Sequence, residues 1–274
     1  MSVVAVSTTN FAFVFPALTL TRLREQVKPG QTIMTCPVSS DVTRSEKLIE
    51  LLQKKPAPTA LIGICIRPAP KVVAAYSAAG VPIVLIDEEV EGTSTVTSDN
   101  VLGGELATEY LLGKGRKRLG VVAGRMSIDG GYNAAQRVRG VRQILEQRGL
   151  AIAEGCLIEV CYYSHRNGVE ALTQLLDEKR GVDAIFCAAG DTCASGILSC
   201  AQSRGLKIPQ ELALVGYDDH PLGRISTPPL TTVRQPLEEI AAAAYRMATE
   251  QAAEILAKPQ RIYFKPQLVV RESA

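Results

Sequence analysis

Short apolar runs alternate with amphipathic stretches along nearly the whole of this chain, and that alternation restricts the fold more than any other feature. Val3–Ser7, Thr32–Cys36, Ala60–Ile66 and Pro82–Ile86 read as strands buried on both faces. Between them Ala17–Val27, Val42–Lys54 and Val72–Ala79 read as helices, with Leu48, Leu51 and Leu52 on one side of the second. TSTVTSDN, after Gly92, supplies a short strand and an N-cap at Asp99, and Leu102, Leu106 and Tyr110 then recur at helical spacing until Gly113 and Gly115. The pattern then restarts. Leu119–Ala123, Leu157–Tyr162, Asp183–Ala188 and Leu212–Tyr217 are strands; Asn133–Arg148, Asn167–Glu178 and Cys193–Arg204 are helices. Strands separated by helices pair in parallel through right-handed crossovers. The fold class is therefore α/β, with two Rossmann-like lobes.

The tail ties the lobes together. Pro236–Leu256 is a long helix with Glu238 and Glu239 in its first turn, and Arg261–Phe264 and Leu268–Val270 are short strands. If the chain crosses at Leu230–Gln235 and again near Lys265-Pro266, three strands join the lobes. Residues 1–98 with 236–264 then form the N-terminal lobe and 99–235 with 265–274 the C-terminal lobe, with a ligand cleft between them. Three connections permit closure and resist twist.

Composition removes several functions. With 30 basic against 28 acidic side chains and a net charge of +2, the chain is not built mainly to hold nucleic acid or an anionic membrane. It lacks Trp, so a base-stacking surface is disfavoured. No positive n-region precedes the apolar N-terminus, and no apolar run reaches the ~20 residues that span a bilayer. The seven Cys form no C-x-x-C pair and read as reduced core thiols of a cytoplasmic protein. Only His165 and His220 are present, without H-E-x-x-H, G-x-S-x-G or a P-loop, so neither an enzyme nor a metal site is expected, and no cofactor. Asp218-Asp219-His220 are three successive residues and cannot easily converge on one ion.

The most informative segment is LALVGYDDHPLGRISTPPLTTVRQP, Leu212 to Pro236. Its buried strand stops at Gly216-Tyr217 and presents Asp218 and Asp219 at a C-terminal strand end, where open α/β sheets bind ligands. Pro228 and Pro229 then block a helix before β-type residues resume.

This segment resembles the "GfDD…ppLTTv-Q" motif of the LacI/GalR family of bacterial regulators. TSDNVLGGELATEYLLGKGRKRLGVVAG, Arg137 to Gly140, VDAIFCAAGDTCASG and Leu268–Ser273 resemble further family motifs in the same order, and only residues 1–60 match weakly. The resemblance implies a fold like the periplasmic sugar-binding proteins, a sugar-like effector in the cleft and a homodimer. It also implies operator DNA bound through an N-terminal helix-turn-helix headpiece. This sequence begins directly at its first strand, so a sensor portion without that headpiece is expected. The competing reading is a periplasmic sugar-binding protein of a transport system.

Eight residues are candidates for the ligand. Asp218 can accept from two hydroxyls at once, and the resemblance makes the first Asp of its motif a ligand contact; the alternative is that it, like Asp219, caps the following turn. Arg137 matches a family arginine that points into the cleft, the alternative being a surface helix arginine like Arg139 and Arg142. Asn133 lies one helical turn earlier on the same face. Tyr163 aligns with a stacking aromatic, with Tyr162 the alternative if the register slips by one. Phe13 and Phe15, in the loop after the first strand, either wall the pocket or pack under the first helix. Asp87 matches a polar site position, and Gln235 a crossover residue that touches ligand or holds the hinge. One departure stands out. The family's Asn-Asp is Gly190-Asp191 here, which removes an amide and leaves space, with Asp191 expected as a helix N-cap.

Overall fold

The computed structural model describes residues 2–38, 43–126, 131–253 and 258–274. In chain order it contains β1 (Ser2–Thr8), α1 (Val14–Glu25), β2 (Gln31–Pro37), α2 (Arg44–Leu51), β3 (Ala60–Ile64), α3 (Pro70–Ala78), β4 (Ile83–Ile86) and β5 (Ser94–Ser98). There follow α4 (Asn100–Gly113), β6 (Leu119–Gly124), α5 (Tyr132–Gln147), β7 (Leu157–Val160), α6 (His165–Asp177), β8 (Ala184–Cys187) and α7 (Asp191–Ser203). The chain ends with β9 (Ala213–Tyr217), α8 (Pro221–Ile225), β10 (Thr231–Arg234), α9 (Leu237–Ala253), β11 (Arg261–Phe264) and β12 (Gln267–Val269). The expected helix start at Val42 and helix end at Leu256 lie outside the described residues.

The chain divides into two compact units, Met1–Ser98 with Pro236–Phe264 and Asp99–Gln235 with Lys265–Ala274, and so passes three times from one to the other. The first holds a six-stranded, all-parallel sheet in the order β11-β5-β4-β3-β1-β2. The second holds the order β12-β10-β9-β8-β6-β7, parallel except for the antiparallel β10–β12 pair.

Both sheets are covered on both faces, which explains the continuous apolar strands. Successive side chains of a strand point to opposite faces. In β1, Val4 and Val6 join a core with α9 (Ile240, Ala244, Met247), while Ala5 joins one with Leu48, Val72 and Tyr76. The second sheet behaves alike. Ile185 and Cys187 of β8 pack against α6 and α7, and Ala184 and Phe186 against α4 and α5. The α4–α5 contact depends on glycine. A Cβ on Gly140 would overlap the Val101 carbonyl, and one on Gly104 the Arg137 carbonyl. Asp99 caps α4, accepting from the Leu102 amide at 2.9 Å.

Three local expectations are corrected. Helix α1 begins at Val14, not Ala17, which moves Phe15 out of the loop and into the first turn. The turn after β9 contains a one-turn helix, α8, that Pro221 can start because its missing N–H is not needed there. Asp191 is the first residue of α7, behind an N-cap at Gly190, and its side chain does not cap. Of the seven free cysteines, Cys156, Cys187, Cys193 and Cys200 are buried, Cys36 and Cys65 are half-buried, and Cys161 is exposed and is no core thiol. Among the described residues no helix is long and apolar enough to cross a membrane.

Candidate functional site

In the second unit the strand ends carry a polar cluster built around β9. Tyr217 is its last residue, and Asp218 and Asp219 follow with φ of +98° and +51°. Such angles cost a non-glycine residue about 1–3 kcal/mol and persist where surroundings over-determine them. Here they do. The Asp218 amide donates to the Val233 carbonyl at 2.8 Å, and Gln235 Nε2 donates to Asp218 Oδ1 at 2.7 Å. Gln235 is 3% exposed, and its Oε1 has no hydrogen-bond partner among the described residues. Asp218 itself is half-buried.

Arg137 stands on α5 and is only 3% exposed, whereas Arg139 and Arg142 are exposed. Its Nε donates to Asn100 Oδ1 at 2.8 Å and its Nη1 to the Ala188 carbonyl at 2.8 Å. The guanidinium lies 3.6 Å from the centre of the Tyr217 ring, whose hydroxyl donates to the same Asn100 oxygen at 3.1 Å. Arg137 is thus a buried, oriented cation and not a surface arginine. Truncating it removes a stacked planar group and leaves the Ala188 carbonyl without that donor. Arg137→Ala is expected to lower stability by about 2–3 kcal/mol, read as a lower urea midpoint. An unchanged midpoint would mean that these contacts contribute nothing. Asn133, one turn earlier, is also buried, and its Oδ1 accepts from the Ala134 amide at 2.7 Å.

Tyr163 turns inward and Tyr162 outward. Tyr163 packs on the core beneath α6 and α7, with its hydroxyl over Gly124 at the end of β6, while Tyr162 is 64% exposed. Gly190 has φ +93°, and a Cβ there would meet Asp218 Oδ2 at 2.7 Å. The Asp218 carboxylate therefore already crowds the place where a side chain at position 190 would begin. Asp191 is buried, accepting from the Thr232 hydroxyl and the His220 amide at 2.7 Å each. Burial, and then the charge of Asp218, push its pKa well above the usual carboxylate range, although those two hydrogen bonds pull it down. It ties the start of α7 to β10 and to the turn after β9.

Asp219, expected to cap a turn, meets arginines instead. Its Oδ2 accepts from Arg224 Nη2 at 3.0 Å and Arg234 Nε at 2.7 Å, and its Oδ1 from Arg271 Nη2. Burial raises its pKa, but hydrogen bonds from Arg271 and Arg234, with their charges, outweigh that and hold it low. The role was missed because Arg224 lies on α8, Arg234 on β10 and Arg271 beyond β12, so the fold alone gathers them. A side chain held this way is no metal ligand, and His220 caps α8 with Nδ1 accepting from Leu222. Among the described residues no cluster of three or more His, Cys, Asp or Glu could hold a metal.

In the first unit Asp87 directly follows β4 with φ +62°, is 1% exposed, and accepts from the Thr97 hydroxyl at 2.8 Å. Phe15 and Phe11 are partly buried against the core shared with α9, the packing alternative for Phe15, while Phe13 stays 39% exposed at the N-cap of α1. Ser7 and Thr8, closing β1, bury hydroxyls that have no partner among the described residues. Sequence reasoning passed over them, although two hydroxyls ending an all-apolar strand were the available signal. The structure brings Asp218 and Gln235 into contact and sets Arg137 against Tyr217, the residue before Asp218. It places Asp87, Phe13 and Phe15 in the other unit.

The chain is similar to known proteins over most of its length. Residues 108–274 match the family described as periplasmic binding protein-like domain. The ribose operon repressor of Escherichia coli (strain K12) is 30% identical over 250 residues, covering 89% of this chain and 73% of that protein. DegA of Bacillus subtilis (strain 168), an HTH-type transcriptional regulator, is 31% identical over 248 residues, covering 89% and 72%. Among solved structures, a complex of the transcriptional regulator CelR with cellobiose superposes with a TM-score of 0.86 at 25% identity, covering 99% of this chain and 84% of that one. The structure of a putative LacI-family regulator from Sanguibacter keddieii gives 0.84 at 26% identity, covering 99% and 97%. With its paired α/β sheets, its ordered motifs and these relatives, the chain belongs to the periplasmic binding protein-like family, among the LacI/GalR-type transcriptional regulators.

Proposed function

We propose that this chain is the sensing region of its regulator and takes a small, hydroxyl-rich effector such as a sugar. The effector sits at the strand-end cluster of the second unit that holds Asp218 and Gln235. Asp218 accepts from its hydroxyls, Gln235 and Asn133 flank it, Arg137 orients that side of the site, and Tyr163 covers the ring. Asp87, Phe13 and Phe15 remain the candidate ligand residues of the first unit. One observation carries the reading: a half-buried carboxylate is held in a strained conformation at a parallel strand end, beside a buried amide oxygen that still lacks a donor. Sugar hydroxyls supply such donors. The names of the ribose operon repressor and of the CelR–cellobiose complex support a sugar.

The role is binding, not catalysis. In a cytoplasmic homodimer, effector occupancy resets DNA affinity through a helix-turn-helix headpiece, by a coupling of about 1–3 kcal/mol. A thermal-shift panel of aldoses, ketoses, sugar acids and nucleobases identifies the effector. Asp218→Asn keeps the side-chain volume and tolerates positive φ. It is expected to fold as the parent does and to bind the identified sugar roughly 10–100-fold more weakly. Unaltered sugar affinity in that variant removes Asp218 from the site.

A further inference from the structure

The arginine cluster around Asp219 stands apart from the effector reading. Three guanidinium cations converge on one carboxylate, and among the described residues none of the three pairs with any other acid. The cluster therefore carries an excess of positive charge in a chain that is otherwise nearly balanced. Its two charges are also presented unequally. The Asp219 side chain is 2% exposed, Arg224 is 58% exposed and Arg234 46%. From solvent the cluster shows only its cationic side.

Arg224 and Arg234 approach the same oxygen, Asp219 Oδ2, at 3.0 and 2.7 Å, so their like charges are held side by side. Among the described residues each donates a single hydrogen bond, through Nη2 in Arg224 and Nε in Arg234. The remaining N–H groups of two planar forks are left for an acceptor from solution. Arg271 differs, because it is 15% exposed and also donates from Nη1 to the Leu230 carbonyl at 2.6 Å, so it anchors the cluster from behind. Paired guanidinium forks match the oxygen spacing of a phosphate, and a dianion relieves their mutual repulsion.

We propose that Arg224 and Arg234 form a binding site for a compact oxyanion of the phosphate type on the second unit, independent of the effector site. Asp219 fixes the orientation of both arginines. Because it directly follows Asp218 in the chain, an anion held there is also placed to stiffen the strained turn that carries Asp218.

Titrating the intact chain with inorganic phosphate, against sodium chloride at equal ionic strength, tests this by thermal shift and calorimetry. The expected result is a saturable response to phosphate at roughly millimolar concentration, with none to chloride. Arg224→Gln with Arg234→Gln keeps the Asp219–Arg271 pair and is expected to abolish the response while the circular dichroism spectrum is unchanged. Asp218→Asn is expected to keep the phosphate response while losing sugar affinity, which separates this site from the effector site. Glycerol 3-phosphate in parallel distinguishes the source: a tighter response assigns the site to phosphate esters, an equal one to the free ion. A matching shift with chloride, or a saturable phosphate response surviving in the double variant, overturns the proposal.

Discussion

Asp219→Ala is expected to destabilise the second unit by roughly 3–5 kcal/mol at neutral pH, because it strands guanidiniums that have no other acid to meet among the described residues. Most of that loss belongs to Arg271, whose side chain is 15% exposed. Arg224 and Arg234, about half exposed, are screened by water and contribute little. The pH dependence has a definite sign. The folded carboxyl is held below its ordinary value, so its stabilisation is complete above the unfolded Asp pKa of about 3.9 and is lost as pH falls through the lower folded value. The gap between parent and Asp219→Ala, measured by urea unfolding, should therefore be wide at pH 7 and close in strong acid. Phosphate should raise the midpoint of the variant more than that of the parent, since it replaces the missing anion. Equal midpoints at pH 7 would show that the ion pairs merely offset their own desolvation.

Gly140→Ala is expected to cost about 1–3 kcal/mol or more, although alanine is the better helix former. An added methyl would overlap the Val101 carbonyl and crowd the Glu105 amide at 2.9 Å, both backbone groups that cannot rotate away. Helices α4 and α5 would have to part, and Arg137, one turn earlier on α5, would be drawn from Asn100 and Tyr217. Effector affinity should fall together with stability. Gly113→Ala is the control, for nothing lies within 4 Å of its added Cβ at the end of α4, and it should be neutral or stabilising by up to about 1 kcal/mol. If both variants lose stability equally, close helix approach is not the reason for Gly140.

The arrangement of strands and helices was legible in the sequence because it rests on local periodicity. Runs such as ALIGI and IVLI, alternating with amphipathic stretches, specify strands covered on both faces, and Asp99 marks the start of α4 through contacts with its immediate neighbours. Asp218 and Gln235 lie in one motif of contiguous residues, and the structure joins them by a hydrogen bond. Phe15 was misplaced because helix starts are weakly encoded, and α1 lacks a side-chain cap to announce its first residue.

Sequence alone thus determined the α/β alternation, its restart in a second unit, and the carboxylate at the end of β9. Tertiary structure decided which charges meet. Asp219 pairs with Arg234 and Arg271, respectively 15 and 52 residues along the chain, and Arg137 reaches Asn100 and Ala188 across 37 and 51. Periodicity assigns a side chain to a face of its own element, but a buried ion's partner is set by which elements the sheet order places side by side, and no local pattern records that.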